Sequence, residues 1–587
     1  MTRPILVSIA WPYANADIHV GNVVGSHLPA DIFARYQRLV GNRVLVVSGT
    51  DAHGTPVTLR ADAEGVTPLD ILRRYQPRFL TLLQALGITY DLFTTTHTEN
   101  HFAVSQAMFT ALLEHGYLYT EIQQQWYSPS EKRFLPDRYV EGTCYICGYE
   151  GARGDQCDNC GNVLDGTKLI NPRSKTGATA LELRETEHFF LDLGKMVPAL
   201  REYLTHDKAH WRPNVLNQSL SALDELRGRP ITRDLDWGIP VPVNGWEHKK
   251  LYVWFEAVIG YLSAAIEWAQ VSGQPEAWHD WWYNPEARSY YFIGKDNITF
   301  HATNWPAQLW GTERVFTDDA SKRLNLPYDV PANEFMNLEG KKISGSRNWA
   351  VWALDVTERY GPDPVRFYLT VAMPESKDTD WSWADFVRTN NDVLVANWGN
   401  LANRMLSFAY KRFDGRVPDP GPLRPQDVAL LETVEAGFES VGALLNAVKL
   451  RAALQETLRI ATEVNRYLDQ QAPWSEIKTD PAAAAKTVYT SLRAIDSLKV
   501  LFAPFIPFSS AQVHAYLGYD TALFGRQYTE VYGEGEFEHE VLRYDDTGVT
   551  ARWEASQLPA GQALREPGPL FRKLEDSVAD EELARLG

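Results

Sequence analysis

The sequence predicts an α/β fold, a doubly wound parallel sheet interrupted by a cysteine-rich insertion and followed by an all-α helix bundle. Three observations carry this. Apolar runs that suit buried strands alternate with helical periods in the first half. All four cysteines cluster in one segment of altered composition. A long stretch rich in Ala, Leu and Glu, nearly free of helix breakers, fills much of the second half.

The elements follow in order. "ILVSIA" at 5–10 is a short apolar run bounded by proline, as in a buried strand. "ADIFARYQRLVG" at 30–41 places Ile32, Phe33, Tyr36, Leu39 and Val40 at helical spacing and ends on Gly41. "RVLVVSG" at 43–49 is a second buried strand. This β-α-β order predicts a ligand crevice where strands run into loops, at about residues 10–22 and 49–55. From 117 to 230, Gly, Arg and Asp become frequent and strands look short, as in an insertion. Strand and helix signals return at 250–310, and 386–515 looks all-helical. The last sixty or so residues carry weak periodicity. The expected division is therefore 1–116 and 231–325 for the two halves of the sheet domain and 117–230 for the insertion. A loop-bearing connection at 326–385, a helical domain at 386–530 and a tail packing back at 531–587 complete it.

With 587 residues and 44% hydrophobic content the chain can bury several large cores. No window reaches the ~18 uncharged apolar residues of a membrane helix. The N-terminus lacks the apolar core of a signal peptide, so a soluble cytoplasmic protein is expected. A net charge of −18 argues against non-specific nucleic-acid binding by the whole surface, but not against a local basic patch.

The cysteines are spaced Cys144-x2-Cys147-x9-Cys157-x2-Cys160, and each pair is followed by glycine, Gly148 and Gly161. Two such knuckles supply four thiolates to a tetrahedral Zn²⁺, a closed and therefore structural site. Two disulfides or four free thiols are the alternatives, and a nucleic-acid-binding zinc ribbon fits the segment taken alone.

Two segments are candidates for phosphate binding. In "WPYANADIHVGN" (11–22), His19 and Asn22 share a face if a helix starts here, and Gly21 permits close approach. A merely capped helix is the alternative. In "LEGKKISGSRNW" (338–349), Lys341 and Lys342 stand among Gly340, Ser344, Gly345 and Ser346. Such a run is either a solvated surface loop or a mobile cationic loop that closes over phosphates.

The first segment resembles the HIGH motif of class I aminoacyl-tRNA synthetases, just after strand one. The second resembles their KMSKS motif, reading Lys342-Ile343-Ser344-Gly345-Ser346. "IGKDN" (293–297) resembles their Gly-x-Asp element, with Gly294 and Asp296 near the ATP ribose. The finer resemblance is to the methionyl-tRNA synthetase family, from residue 5 to about 515. It rests on "PYAN", "GTDAHGTP", "YVWFEAVIGY", "FIGKDN", the knuckles and "QQAPW". It implies a Rossmann-type catalytic domain with a zinc-knuckle insertion, then a helix-bundle anticodon-binding domain. The terminal "PLFRKLE" also resembles the tail that follows that domain.

The resemblance implies methionine–tRNA ligase activity with Mg²⁺·ATP, L-methionine and tRNA(Met) as partners and one structural zinc; because the sequence stops soon after the helical domain, a monomer is expected. His19, Asn22 and Lys342 would be catalytic. Gly21, Gly294, Asp296, Lys341, Ser344, Gly345 and Ser346 would join them at ATP. Methionine would meet Ala10, Trp11, Tyr13, Asp51, Val253, Trp254, Ala257, Val258, Tyr261, Asn297, His301 and Trp305. Trp254, Ala257, Val258 and Tyr261 recur on one helical face, which on residues alone suits either a core stripe or a thioether pocket. For Asp51 a cap or turn role is the alternative. Methionine selection would need shape plus a group that senses sulfur, with Tyr261 and His301 as candidates.

Asn400 and Arg404, four apart on one helix face, and Trp474 match anticodon-reading positions, and base stacking on such an aromatic is worth ~1–3 kcal/mol. Ordinary helix surface is the alternative. Two departures stand out. Asn22 replaces the last His of HIGH, still a hydrogen-bond donor. Gly345 replaces the second Lys of KMSKS, a loss that can cost ~3–4 kcal/mol unless Lys341 reaches the same phosphates. The rival readings are a class I ligase for another amino acid and a catalytically weakened tRNA-binding paralogue.

Overall fold

The structure, a computed structural model, describes every residue except 1, 136, 156, 158, 161, 163, 178, 179 and 587, and the side chains of all the rest but Asp137 and Ser346. The knuckle glycine Gly161 thus lies outside the described residues.

Strand β1 (Pro4–Ile9) is buried along its whole length. A pair of helical turns leads into helix α1 (Leu28–Val40), which ends on Gly41 in the left-handed conformation at φ 91°, as the sequence predicts. Strands β2 (Arg43–Thr50) and β3 (Leu92–Thr95) follow. The insertion is built on a long antiparallel pair, β4 (Leu118–Ser128) and β5 (Glu182–Leu191). Helix α2 (Gly260–Val271), strand β6 (Arg288–Gly294), helix α3 (Trp305–Thr312) and strand β7 (Ala332–Asn333) return to the sheet. Helices α4 (Asn400–Arg412), α5 (Pro425–Asn446), α6 (Leu450–Gln471) and α7 (Pro481–Phe502) form the bundle.

The sheet order is β7-β6-β1-β2-β3, all parallel, with Val7 registered on Tyr290 and on Val46. Strands β2 and β3 follow on one side of β1, and β6 and β7 return on its other side, so the switch point lies at the C-terminal end of β1, facing the ends of β2 and β6. Its outer edge holds a finding that the sequence concealed. Strands β8 (Arg526–Tyr532) and β9 (His539–Asp545) form a hairpin whose second strand pairs antiparallel to β3, so the sheet is mixed at that edge. The hairpin straddles residue 530, where sequence reasoning divides helical domain from tail. An edge ribbon buries little, with only Val541, Leu542 and Arg543 buried on β9 and none on β8, which explains the weak periodicity.

Alternate residues of β1 feed two cores. Ile5, Val7 and Ile9 face a core shared with the bundle, where Trp398, Leu454 and Phe502 lie. Leu6 faces the core shared with α2 and the insertion base, including Phe189 and Leu191. A buried clamp fixes bundle to sheet. Asp31 on α1 pairs with Arg35 and with Arg366, both at 2.8 Å, and Arg366 also donates to the carbonyls of Leu86 and Phe505.

Candidate functional site

A cavity of about 1160 Å³ opens at the switch point. Its floor is the end of β1 and the turn after β2. The Asp51 amide donates to Pro12 O at 2.8 Å and the Ala14 amide to Asp51 O at 3.1 Å, so Tyr13 and Asp51 are held side by side. Trp11 fits because its neighbours lack side chains. A Cβ on Gly260 would lie 2.7 Å from the indole, and one on Gly49 would overlap it.

His19 caps the helical turn Val20–Asn22. Its Nδ1 accepts from the Asn22 amide (3.3 Å), while the Asn22 side-chain oxygen accepts from the His19 amide (3.2 Å). The capped-helix alternative is therefore realised, and it orients the functional atoms. With Nδ1 occupied as acceptor, the neutral ring carries its hydrogen on Nε2, and among the described residues nothing accepts from the Asn22 NH₂. Burial lowers the His19 pKa to about 4, so the ring is neutral at pH 7.

The lysine loop lies against this turn. Val20 N donates to Val351 O and Ala353 N to Ile18 O, both at 3.0 Å. A Cβ on Gly21 would stand 3.1 Å from Ile343 Cδ1, so the glycine is what lets the loop seat. Within the loop, Glu339, Gly340 and Asn348 take positive φ, and Ser344 and Trp349 exchange two backbone hydrogen bonds. Lys342 lines the cavity, whereas the Lys341 ammonium lies 4.7 Å over the Trp349 ring and does not line it. Gly345 lines the cavity too, and a Cβ there would meet Trp352 Cη2 at 3.0 Å.

Across the cavity, Gly294 ends β6 with open space where a Cβ would go, so packing does not demand glycine there. Burial pushes Asp296 above the ordinary carboxylate range, opposed by Lys342 and Lys295. The apolar wall is Trp254, Ala257, Val258 and Tyr261. Tyr261 OH lies 2.7 Å from His301 Nε2, and His301 Nδ1 lies 2.9 Å from Asn297 O. Because a carbonyl only accepts, Nδ1 carries the hydrogen and Nε2 accepts the phenol hydrogen. Burial lowers His301 to about 4. Asp51 is buried, and burial followed by the Glu256 charge raises its pKa well above the ordinary value. Glu256 is itself clasped by His53 (3.0 Å) and His101 (2.6 Å).

Most predicted site residues thus meet in one cavity: Ala10, Trp11, Tyr13, His19, Gly21, Asn22, Asp51, Trp254, Ala257, Val258, Tyr261, Gly294, Asp296, Asn297, His301, Lys342 and Gly345. Four do not line it. Val253 and Trp305 are buried in the adjoining core, where Trp305 packs on Trp282; Lys341 and Ser344 face elsewhere in the loop. The Ser346 side chain lies outside the described residues. Sequence reasoning missed Trp352, Arg138 and Arg153, which also line the cavity. Trp352 lay six residues past the family's loop motif, and the two arginines come from the insertion, whose fold no local pattern revealed.

The four cysteine sulfurs lie within 4.8 Å of one another, with Cys147 Sγ 3.6 Å from Cys157 Sγ. No disulfide joins any of the four, so the two-disulfide alternative is not realised. Sulfurs on a tetrahedral Zn²⁺ at ~2.3 Å stand about 3.8 Å apart, so the cluster fits zinc. Far away on the bundle, the Arg404 guanidinium lies 4.6 Å over the Trp474 ring and 3.6 Å from Asp469, while Asn400 is exposed one helical turn before it.

Comparison with known proteins agrees with this geometry. A family model described as tRNA synthetases class I (M) matches residues 5–406, and one for the anticodon binding domain of methionyl tRNA ligase matches residues 417–534. The chain is 55% identical to the methionine–tRNA ligase of Thermomicrobium roseum over 100% of this chain and 99% of that one. It is 52% identical to that of Chloroflexus aggregans, with the same coverage. Its structure resembles Mycobacterium tuberculosis methionyl-tRNA synthetase in complex with methionyl-adenylate, with a TM-score of 0.76 at 26% identity, covering 97% of this chain and 100% of that one.

Proposed function

The chain belongs to the methionyl-tRNA synthetase family of class I aminoacyl-tRNA synthetases and has methionine–tRNA ligase activity; from that premise we propose how its cavity carries out the reaction. A methionine carboxylate oxygen attacks the α-phosphorus of ATP, and the bond to the bridging oxygen breaks. Methionyl-adenylate and pyrophosphate result. A terminal ribose hydroxyl of tRNA then attacks the acyl carbon, AMP leaves, and the hydroxyl proton departs to solvent.

No side chain need form a covalent bond, so positioning and charge stabilisation carry the rate. His19 Nε2–H and the Asn22 amide donate to the phosphates as neutral groups, and Lys342 meets the charge that develops on the leaving pyrophosphate. Mg²⁺ accompanies ATP and neutralises its phosphates. Asp51 pairs with the methionine ammonium beside Tyr13. The side chain enters among Trp11, Ala257, Val258 and Tyr261. The single observation that carries this assignment is the contact of Gly21 with Ile343, which brings the HIGH-like turn and the lysine loop to one cavity.

The four cysteines hold one Zn²⁺ that folds the insertion. Metal analysis should find one zinc per chain. Chelation should abolish amide protection around 140–174 while bundle amides keep theirs; unchanged protection without zinc would refute the structural role. Among the described residues no helix is long and apolar enough to cross a membrane, and we place the enzyme in the cytoplasm as a monomer.

Asn400, Arg404 and Trp474 read the CAU anticodon, Trp474 as the stacking platform. Trp474→Ala should lower kcat/KM for tRNA(Met) by roughly 5–150-fold, the equivalent of about 1–3 kcal/mol per stacked base. Aminoacylation assays against an anticodon-swapped tRNA check it. An equal loss on both tRNAs would remove Trp474 from anticodon reading.

A further inference from the structure

The two ends of the methionine site come from distant parts of the chain. Asp51, the ammonium anchor, sits on the turn after β2. The side-chain wall begins with Trp254 on the short helix Val253–Glu256 and runs through Ala257 and Val258 to Tyr261 on α2. Among the described residues no strand pairing joins that turn to that wall.

One side-chain pair spans the gap. His53, on the same turn as Asp51, lies with Nδ1 3.0 Å from Glu256 Oε1, and both side chains are buried. A carboxylate only accepts, so His53 donates from Nδ1. The His53 amide donates to Asp51 Oδ1 at 3.1 Å, so a shift of His53 moves the anchor directly.

Both ends of the pair are fixed from behind. Glu256 Oε2 accepts from His101 Nε2 at 2.6 Å, and His101 Nδ1 lies 2.8 Å from Ser263 Oγ on α2. Against the cost of burial, His53 and His101 hold the Glu256 carboxyl below its ordinary value, and hydrogen bonds to such a carboxylate are strong. His53 Nε2 lies 3.2 Å from His97 Nδ1. His97 stacks on Trp237 with ring centroids 4.4 Å apart, and the Trp237 indole N–H donates to Ala52 O at 2.7 Å. Outside His97 comes the tip of the β8–β9 hairpin, with the Phe537 ring 5.1 Å away. The His53 ring is thus wedged against Glu256.

A cavity measures the length of a ligand only if its two ends stand at a fixed separation. One methylene is worth only ~1–3 kcal/mol in an apolar pocket, and a wall that yields gives that away. The thioether side chain is flexible and fills irregular gaps, so the rigidity has to come from the protein.

We propose that His53 and Glu256 form a strut that sets the separation of Asp51 from the Trp254–Tyr261 wall, and thereby the chain length of the amino acid that is activated. The inference rests on the placement of methionine given above. Both are positioning residues, and neither lines the reaction cavity.

The test uses the full-length chain with His53→Ala and His53→Asn. Alanine breaks the strut but leaves Glu256 paired with His101, so no buried charge is stranded. Asparagine keeps an N–H near the place of Nδ1. ATP–pyrophosphate exchange is measured with methionine, with S-methylcysteine, one methylene shorter, and with ethionine, one methylene longer. His53→Ala should raise the methionine KM about tenfold with kcat within about threefold, and should shrink the preference for methionine over both homologues at least about threefold. His53→Asn should recover most of both losses. The preference is a ratio of kcat/KM values, so it does not depend on the fraction of enzyme that is folded. An unchanged preference, whatever the loss of activity, would overturn the proposal, as would a loss confined to kcat. No exchange with methionine by the unmodified chain would overturn the ligase reading instead.

Discussion

Replacing Lys342 with alanine lowers methionine-dependent ATP–pyrophosphate exchange by roughly 10²–10³-fold, the usual cost of removing one preorganised donor from a transition state. The fall should appear in kcat, with little change in the methionine KM, because the charge that Lys342 meets develops only as pyrophosphate leaves. Two features of the loop make this single lysine decisive. Gly345 stands where the family motif has a second lysine. Lys341 is turned onto Trp349, 4.7 Å from the ring, instead of lining the cavity. Lys341→Ala should thus cost only what an exposed cation–π contact is worth, about 0.5–1 kcal/mol of loop stability. Comparable kcat losses in both variants would mean that the loop turns over during catalysis and that Lys341 shares the phosphates. Restoring lysine at 345 is no simple repair, since its Cβ would press on Trp352 at 3.0 Å.

Asp51→Asn should reduce kcat/KM for methionine at least roughly 30-fold. Truncating one partner of a buried charge pair costs about 2–5 kcal/mol, and the loss should lie chiefly in KM. The pH dependence has a definite sign. Burial and the Glu256 charge hold the Asp51 carboxyl well above its ordinary pKa, and only its ionised form attracts an ammonium. The methionine KM of the unmodified enzyme should therefore rise as pH falls through that raised value, before an ordinary carboxylate would titrate. Stability runs the other way. A carboxyl whose folded pKa is raised favours the folded state at low pH, and that contribution is lost as pH rises through the folded pKa. Asp51→Asn removes the buried charge, so its melting temperature near neutral pH should equal or exceed that of the unmodified chain. A marked drop in melting temperature would assign Asp51 a structural role instead.

The fold was legible where burial is complete. "ILVSIA" and "RVLVVSG" have both faces covered, so composition alone identifies them as strands, and Gly41 marks the helix end because only a left-handed residue fits there. The β8–β9 hairpin was not legible, since an edge ribbon that buries three residues leaves no clear period. At the site, spacing brought out Tyr261, Ala257 and Trp254 because they share a helical face. Spacing cannot tell which member of a neighbouring pair points inward: Lys342 faces the cavity while Lys341 does not, and His301 lines the site whereas Trp305, one turn on, is core. Nor does sequence reveal that the Tyr261 hydrogen is already engaged by His301. The phenol oxygen, not its hydrogen, is what a thioether would meet in this arrangement.

The most direct measurement is ATP–pyrophosphate exchange by the purified chain with methionine, leucine, isoleucine and valine offered separately. Methionine should support exchange and the three branched amino acids should support little. Exchange with leucine at a rate equal to that with methionine, or none with methionine, would contradict the assignment of this cavity.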